Sequence, residues 1–272
     1  MRRVARVISV RAISHEDIIQ FRAWEAELAR RGALAEAQRL SEEMSNALIA
    51  DVEECWRQIW NKPLYANTKV AIGERYEEKL SSIMPGAWRF IGLDRERFLI
   101  THQGKGSSAE NFAESGSIIQ QIRNVSGVAA KRLFAIQGGA AFIRELVAEN
   151  GESAPLSPYA ADDLDEMLEK LQNIISDFRP RLGRGWGHIT VMHMLTDFGL
   201  SVKPDIHLVK TVRRLGIVEG LRDATLPNER EAIAIVTAIA HLVQAVYGDE
   251  ASFAKLRYTD KMLMDASREG LL

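Results

Sequence analysis

The chain has 272 residues, 46% hydrophobic and 26% charged, which is an ordinary globular composition with enough apolar side chains for one large or two small domains. Its net charge of −2 argues mildly against a nucleic-acid partner, because nonspecific DNA affinity comes from clustered Lys and Arg. The single cysteine, Cys55, excludes an internal disulfide and a four-cysteine iron–sulfur cluster, and the histidines lack the spacing of metal ligands. No apolar run reaches the roughly 18 residues of a membrane span, so a cytoplasmic protein is expected.

The N-terminal 108 residues mix helical and less regular patterns. Residues 3–13 alternate apolar and basic side chains, which predicts an edge strand. Ser14 and Asp17 have the spacing of a capping box at a helix start. Helices are predicted at 15–31 and 34–60, ending near Pro63; short strands at 69–72 and within 88–100; and a loop at 104–108.

From residue 110 onward the pattern is helical throughout, with Gly, Pro and Asn marking the turns, among them Gly138-Gly139. Helices are predicted at 111–122, 125–136, 139–149, 160–178, 187–198, 205–215, 228–247 and 251–267. The predicted fold is therefore mainly α, with a small mixed α/β extension over 1–108 and a helical core over 109–272.

A glycine-rich hairpin is predicted at 182–190, around Gly185-Trp186-Gly187. Both glycines permit positive φ and remove side chains that would block a phosphate, and backbone N–H groups at a helix start suit phosphate oxygens. Trp186 is interpreted as the apolar anchor of the hairpin. One short helix later, Asp205 follows Pro204 and opens an amphipathic helix, where Asp is a favoured N-cap.

This order of helix, hairpin, helix and aspartate resembles the helix-hairpin-helix (HhH-GPD) superfamily of DNA glycosylases. The matching runs are 185–191 and Pro204-Asp205-Ile206-His207. The resemblance implies two helical subdomains flanking a cleft, and double-stranded DNA with a flipped base as the partner. It implies no cofactor beyond a monovalent cation at the hairpin, no membrane and no protein partner. The residues that it assigns to the phosphate grip are Gly185, Gly187, Ile189 and Thr190.

The resemblance makes Asp205 the catalytic residue. Cleavage of an N-glycosidic bond builds positive charge on the deoxyribose, which a fixed carboxylate stabilises while it positions water. The alternative is a plain N-cap, and the two roles are compatible because a helix start keeps a carboxylate ionised. Bifunctional members of the family carry a lysine where this chain has Ile189, so a monofunctional enzyme that leaves an abasic site is expected.

A second resemblance lies at 118–131, which is similar to the family segment that fills the gap left by the flipped base. The candidates for this wedge are Gln120, Gln121 and Asn124; the alternative is an amphipathic helix with solvent-facing amides. The segment 179–216 has seven basic and two acidic residues, a local excess of five positive charges. Its expected contacts to the DNA backbone are Arg184, Lys203 and Lys210, with a solvated basic surface as the alternative.

The substrate stays open between an alkylated base and a hypermodified phage base, such as glucosylated hydroxymethylcytosine, with a role in phage defence. Two readings without chemistry compete with the enzyme. The first is a noncatalytic helix-hairpin-helix module that binds DNA. The second is a helical scaffold in which the hairpin is only a tight interhelical turn.

Overall fold

The computed structural model describes residues 7–44, 51–66, 68–91 and 130–272 of the chain. About 70% of the structure is helical, which confirms the prediction of a mainly α fold. The α-helices of the described residues are α1 (His15–Arg30), α2 (Ala35–Met44), α3 (Val52–Tyr65), α4 (Val70–Leu80), α5 (Trp88–Ile91), α6 (Ala130–Asn150), α7 (Leu164–Leu182), α8 (His188–Thr196), α9 (Ile206–Leu215), α10 (Glu229–Tyr247) and α11 (Phe253–Arg268). Short 3-10 turns lie at Ser157–Tyr159 and Gly248–Glu250.

A two-stranded antiparallel ribbon is the sheet of the described part of the chain. Strand β1 (Ser9–Val10) pairs with β2 (Val218–Glu219), with Val10 opposite Val218. Gly220 follows β2 with φ 76°, and a Cβ there would lie 2.2 Å from the carbonyl oxygen of Val7, so the close approach requires glycine. Of the strand predicted over residues 3–13, Ser9–Val10 is a strand, residues 3–6 lie outside the described residues, and the strand pairs with a segment more than 200 residues away.

Two local predictions are wrong, and a third is tested only in part. Residues 70–72 lie in helix α4 rather than in a strand. Residues 88–91 form the short helix α5, and the rest of the region 88–100, where a short strand was predicted, lies outside the described residues. The predicted turn at Gly138-Gly139 lies in the middle of α6. A Cβ on Gly138 would stand 2.0 Å from the Leu182 carbonyl oxygen, and one on Gly139 would stand 2.5 Å from Ile59 Cγ2. These glycines therefore allow close packing instead of ending a helix.

The chain divides into two compact units. The first unit comprises Met1–Ala47, Ala160–Ile174 and Leu195–Leu272, and within it α11 packs against α1, α2, α9 and α10. The second unit comprises Leu48–Tyr159 and Ile175–Met194, and within it α3 and α5 pack against α6. The predicted boundary at 108 lies outside the described residues, and the cleft implied by the resemblance stays a prediction.

Helix α10 is the most apolar long helix of the described residues. The segment Glu229–Glu250 is long and apolar enough to cross a membrane, with a mean hydropathy of 1.5, and half of it is buried within the protein. The core helix of a soluble protein meets the same test, so this helix is weak evidence for a membrane span. Its buried face, which includes Ile235, Ile239 and Leu242, contributes to the core of the first unit.

Candidate active site

The hairpin between α7 and α8 belongs to the second unit. Positive φ falls at Gly183 (74°) and Gly185 (99°), and the N–H of Trp186 donates to the Gly183 carbonyl at 3.2 Å. Both Gly185 and Gly187 permit positive φ, and of the two only Gly185 adopts it. The Gly187 carbonyl instead begins α8 by accepting the N–H groups of Thr190 (2.9 Å) and Val191 (3.0 Å).

The buried side chain of Trp186 anchors this hairpin in the core of the second unit. Its side chain is 3% exposed, and its indole Nε1–H donates to the carbonyl oxygen of Ala135 at 2.8 Å. The position of a Cβ on Gly139 lies 3.7 Å from the Trp186 ring, which is ordinary van der Waals contact, so α6 packs directly on the indole. The interpretation of Trp186 as a core anchor is confirmed, and its burial leaves the glycine backbone at the surface.

The hairpin backbone has unused donors. Within the described residues, the N–H groups of Gly185, Gly187 and Ile189 donate no hydrogen bond, whereas the Thr190 N–H is part of α8. No heavy atom lies within 4 Å of a Cβ built on Gly187, so this end of the hairpin is open. Beside it, the exposed Arg184 guanidinium lies 5.1 Å from the centre of the Phe134 ring. This arrangement suits an anion, and phosphate binding there stays a prediction.

The resemblance also implied a monovalent cation at the hairpin. Backbone carbonyl oxygens would hold such an ion, and the carbonyls of Gly183 and Gly187 already accept N–H groups of the hairpin and of α8. Each carbonyl has a second lone pair, so these bonds are compatible with the ion without favouring it. The cation stays a prediction.

Asp205 belongs to the first unit and is the N-cap of α9. Its backbone is extended (φ −89°, ψ −170°), and Oδ1 accepts the backbone N–H of His207 at 2.8 Å. Oδ2 lies 3.8 Å from the Lys203 ammonium nitrogen, and the Asp205 side chain is 17% exposed. One oxygen thus fixes the carboxylate at the positive end of a helix, while the other faces a cation near the surface.

His207 supports the start of α9. Its ring Nδ1 lies 2.9 Å from the Ser267 hydroxyl oxygen on α11. Burial lowers the pKa of His207, and the positive charges of Arg268, Lys210 and Lys203 act in the same direction against the attraction of Asp205. The imidazole is therefore neutral at neutral pH and joins the start of α9 to α11 through Ser267.

A largely buried group of ion-paired side chains in the first unit was missed at the sequence level. Arg257 on α11 donates to Asp260 Oδ2 at 3.0 Å and to Asp197 Oδ1 at 3.1 Å. Burial raises the pKa of Asp260 to about 6; Arg257 lowers it, and the negative charge of Asp205 raises it. The only local signal is the spacing of Arg257 and Asp260 on one helix face, and nothing in it points to Asp205, more than 50 residues earlier.

The remaining predicted residues are scattered. Lys210 is exposed on α9 in the first unit, as a backbone contact requires. Arg181, counted in the basic excess, is 18% exposed and pairs with Glu145, Glu149 and Asp177 within the second unit, so its charge is neutralised there. The wedge candidates Gln120, Gln121 and Asn124 lie outside the described residues.

Comparison of the chain with protein-family models, with curated proteins and with solved structures found no significant match.

Proposed function

We propose that this chain is a monofunctional DNA glycosylase, with Asp205 as its catalytic residue. The observation that carries the proposal is the Asp205 carboxylate itself. It is held by the start of α9, partly open to solvent, and it follows a helix-hairpin-helix element with free N–H groups. The order of helix, hairpin, helix and aspartate along the chain resembles that of the glycosylase superfamily, and the fold is mainly α.

The chemistry needs one fixed negative charge. The target base leaves the stack, and its bond to C1′ of deoxyribose breaks with the electron pair going to the base. Asp205 stabilises the positive charge that develops on the sugar. Water adds to C1′ and gives its proton to Asp205, which passes that proton on to solvent, and the departing base takes one proton from solvent, so that one water is consumed and Asp205 is again ionised. The products are a free base and an abasic site in an intact strand.

Ile189 decides the type of glycosylase. It occupies the position at which the bifunctional enzymes carry a lysine, and an aliphatic side chain forms no imine with the sugar. The enzyme therefore does not cut the DNA strand by β-elimination. The proposed substrate is an alkylated base or a hypermodified phage base such as glucosylated hydroxymethylcytosine, and the second option would give the protein a role in phage defence.

The test is base release measured by mass spectrometry from a panel of duplex DNAs. The panel contains alkylated, deaminated, oxidised and glucosylated bases, and Asp205→Asn is assayed beside the wild type. Asparagine keeps an oxygen that accepts the His207 N–H, so the variant should fold. We expect the wild type alone to release one class of base and to leave abasic strands intact. Absence of release from the whole panel would reject the proposal.

A second candidate is a noncatalytic DNA-binding module. The observation in its favour is that the cap bond of Asp205 to His207 accounts for an aspartate at this position without any chemistry. The hairpin and Asp205 also belong to different compact units. This reading expects salt-sensitive DNA binding that is equal in the wild type and Asp205→Asn, with no base released by either protein.

A further inference from the structure

The first unit contains a cavity of about 410 Å³, and none of the residues that line it belongs to the hairpin or to the start of α9. Four parts of the chain line it: α1, α2, the end of α10 with the 3-10 turn that follows, and the start of α11. Small-molecule sites have volumes of about 300–1,000 Å³ and are lined mainly by apolar side chains. This cavity has such a volume, but its lining side chains are all charged, hydroxyl-bearing or amides, so it suits a polar ligand.

One wall of the cavity is held in place by contacts within the protein. Arg22 on α1 donates to Glu25 Oε2 at 2.6 Å and to the Val246 carbonyl oxygen at 3.1 Å. The Tyr247 hydroxyl donates to Glu25 Oε1 at 3.4 Å. The Tyr247 ring also lies near two cations, since its centre is 5.0 Å from the Arg22 guanidinium carbon and 4.9 Å from the Lys255 ammonium nitrogen. These contacts fix the wall without a ligand, and a preorganised wall lowers the cost of binding.

Three groups that line the cavity keep hydrogen-bonding capacity for a ligand. Among the described residues, the Gln38 amide on α2 and the Glu250 carboxylate in the 3-10 turn have no protein partner. In the same part of the chain, no carboxylate lies within 4 Å of the Lys255 ammonium at the start of α11. An amide donates and accepts, a carboxylate accepts, and an ammonium donates. Donors and acceptors therefore reach the cavity from three elements.

We propose that this cavity binds the ring of a neutral monosaccharide. Each sugar hydroxyl donates one hydrogen bond and accepts others, so it matches a lining that offers both donors and acceptors. Two cations and three carboxylates line the cavity, and neither sign is in large excess, which gives little advantage to a polyanion or a polyamine. An apolar ligand would leave the free groups of Gln38 and Glu250 without water and without partners. The inference is independent of the proposed glycosylase function.

Tyr258 supplies a flat surface on which the C–H face of a sugar ring can pack. It is half-buried and lines the cavity. In the described part of the chain its ring contacts neither a cation nor another ring, in contrast to the ring of Tyr247. Burial and the charge of Glu25 raise the pKa of Tyr258 above its usual value, so its hydroxyl stays protonated and donates to Glu25. An aromatic ring held in this way offers an apolar face with a polar edge, which a sugar ring matches.

Saturation-transfer NMR of the full chain tests which ligands the cavity accepts. The panel contains glucose, galactose and mannose, with glucose 6-phosphate as an anion, putrescine as a polyamine and cyclohexanol as a ring of similar size with a single hydroxyl. We expect transfer to at least one hexose, with a dissociation constant in the millimolar range, and none to cyclohexanol. Methyl α- and β-glucoside distinguish a free sugar from one joined to a carrier, because the methyl group blocks C1. No transfer to any hexose, or tighter binding of glucose 6-phosphate, putrescine or cyclohexanol, would overturn the proposal.

Substitutions at two exposed lining residues locate the bound sugar. Gln38→Ala removes a donor and an acceptor, Glu250→Gln replaces a carboxylate with an amide of the same shape, and both variants should fold because the side chains are exposed. Each should weaken hexose binding about fivefold, as the loss of one hydrogen bond predicts. Asp249→Asn is the matched control, because it changes the neighbouring exposed carboxylate of the same turn, which does not line the cavity. Unchanged affinity in both cavity variants, or an equal loss in Asp249→Asn, would contradict the proposal.

Asp205→Asn separates this inference from the proposed function. The variant should bind hexose as the wild type does, because Asp205 does not line the cavity. A protein that binds hexose but releases no base would uphold the sugar site and reject the glycosylase, and a protein that releases base but binds no hexose would do the reverse. Loss of hexose binding in Asp205→Asn would place the sugar outside this cavity and overturn the inference.

Discussion

Gly138 is required by the backbone that faces it rather than by its own conformation. An added Cβ would lie 2.0 Å from the Leu182 carbonyl oxygen, and a backbone atom at the end of α7 has little freedom to move away. We expect Gly138→Ala to lower the free energy of unfolding by about 2 kcal/mol, in the range of overpacked cores. Urea denaturation followed by tryptophan fluorescence measures this loss, and an unchanged midpoint would contradict it.

Gly187 is the matched control for Gly138, because it is a glycine of the same unit with free space around it. A Cβ there meets open space, and its φ lies outside the left-handed region, so Gly187→Ala should cost less than about 1 kcal/mol as a substitution at a helix start. The added methyl stands beside the free hairpin N–H groups, where it would obstruct a phosphate. We expect about fivefold weaker binding to duplex DNA. Fluorescence anisotropy at fixed salt tests this, and unaltered affinity would argue against the hairpin as a phosphate grip.

Single residues show where sequence reasoning succeeds and where it stops. Asp205 was predictable, because an aspartate after proline at the head of an amphipathic helix is a local pattern. The positive φ at Gly183 was not predicted, because three glycines in five residues leave the turn geometry open. The burial and ion pairing of Asp260 could not be predicted, because they depend on tertiary contacts of α11 with elements far away in sequence.

Arg11 joins three elements of the first unit. Its guanidinium donates to both carboxylate oxygens of Asp17 in the α1 capping box and to the carbonyls of Leu215 and Gly216 at the end of α9. The hydrogen bond from Arg11, together with those from Ser14, lowers the pKa of Asp17 from 3.8 to about 2. The Arg11 guanidinium therefore joins strand β1 to the start of α1 through its ion pair with Asp17, and to the end of α9 through its hydrogen bonds to the two carbonyls.

This ion pair predicts acid sensitivity with a definite sign. Because the folded pKa of Asp17 is the lower one, its contribution is present above pH 4 and is lost as the pH falls from about 4 towards 2. Asp17→Asn should lower the free energy of unfolding by about 2 kcal/mol at pH 7 and by almost nothing near pH 2. Denaturation at a series of pH values checks this, and a pH-independent difference would exclude the ion pair as the cause.

Two arginines at the end of α7 and in the hairpin that follows it, Arg181 and Arg184, have opposite expected roles. Arg181 on α7 pairs with Glu145 and Glu149 of α6, whereas Arg184 lies exposed at the hairpin. Arg181→Ala should cost about 2 kcal/mol of stability and leave the salt dependence of DNA binding unchanged. Arg184→Ala should leave stability within about 0.5 kcal/mol and lower the salt slope by about one. A loss of stability in Arg184→Ala together with a lower salt slope in Arg181→Ala would refute the proposed DNA interface.

Helices of the C-terminal half were predictable because their ends carry local signals. The predicted helices from 160 to 267 are confirmed with ends within about four residues, since Asn228 and Asp205 cap two of them and Gly216 ends one in the left-handed conformation. The prediction of a turn at Gly138-Gly139 was wrong because glycine allows close packing between helices as well as turns. No pairing partner was predicted for β1, because pairing between distant segments leaves no local pattern in the sequence.

At the scale of the whole molecule, net charge is a poor guide to the interface. The total of −2 combines internally paired groups such as Arg181 with exposed ones such as Arg184 and Lys210. Only the exposed cations are available to release counterions from DNA. The order of motifs, and not the sum of charges, therefore supports the DNA-related proposal.

Cys55 reports on the unfolding of the second unit. It is the single cysteine of the chain, it is 0% exposed in the core of that unit, and burial raises the pKa of its thiol to about 12. A maleimide should therefore label the native protein far more slowly than the urea-unfolded chain, because both access and thiolate are lacking. Gly138→Ala weakens the same core and should speed up labelling, whereas Asp17→Asn acts in the first unit and should leave the rate unchanged at pH 7. Equal acceleration by both variants, measured by mass spectrometry over time, would show that the two units open together.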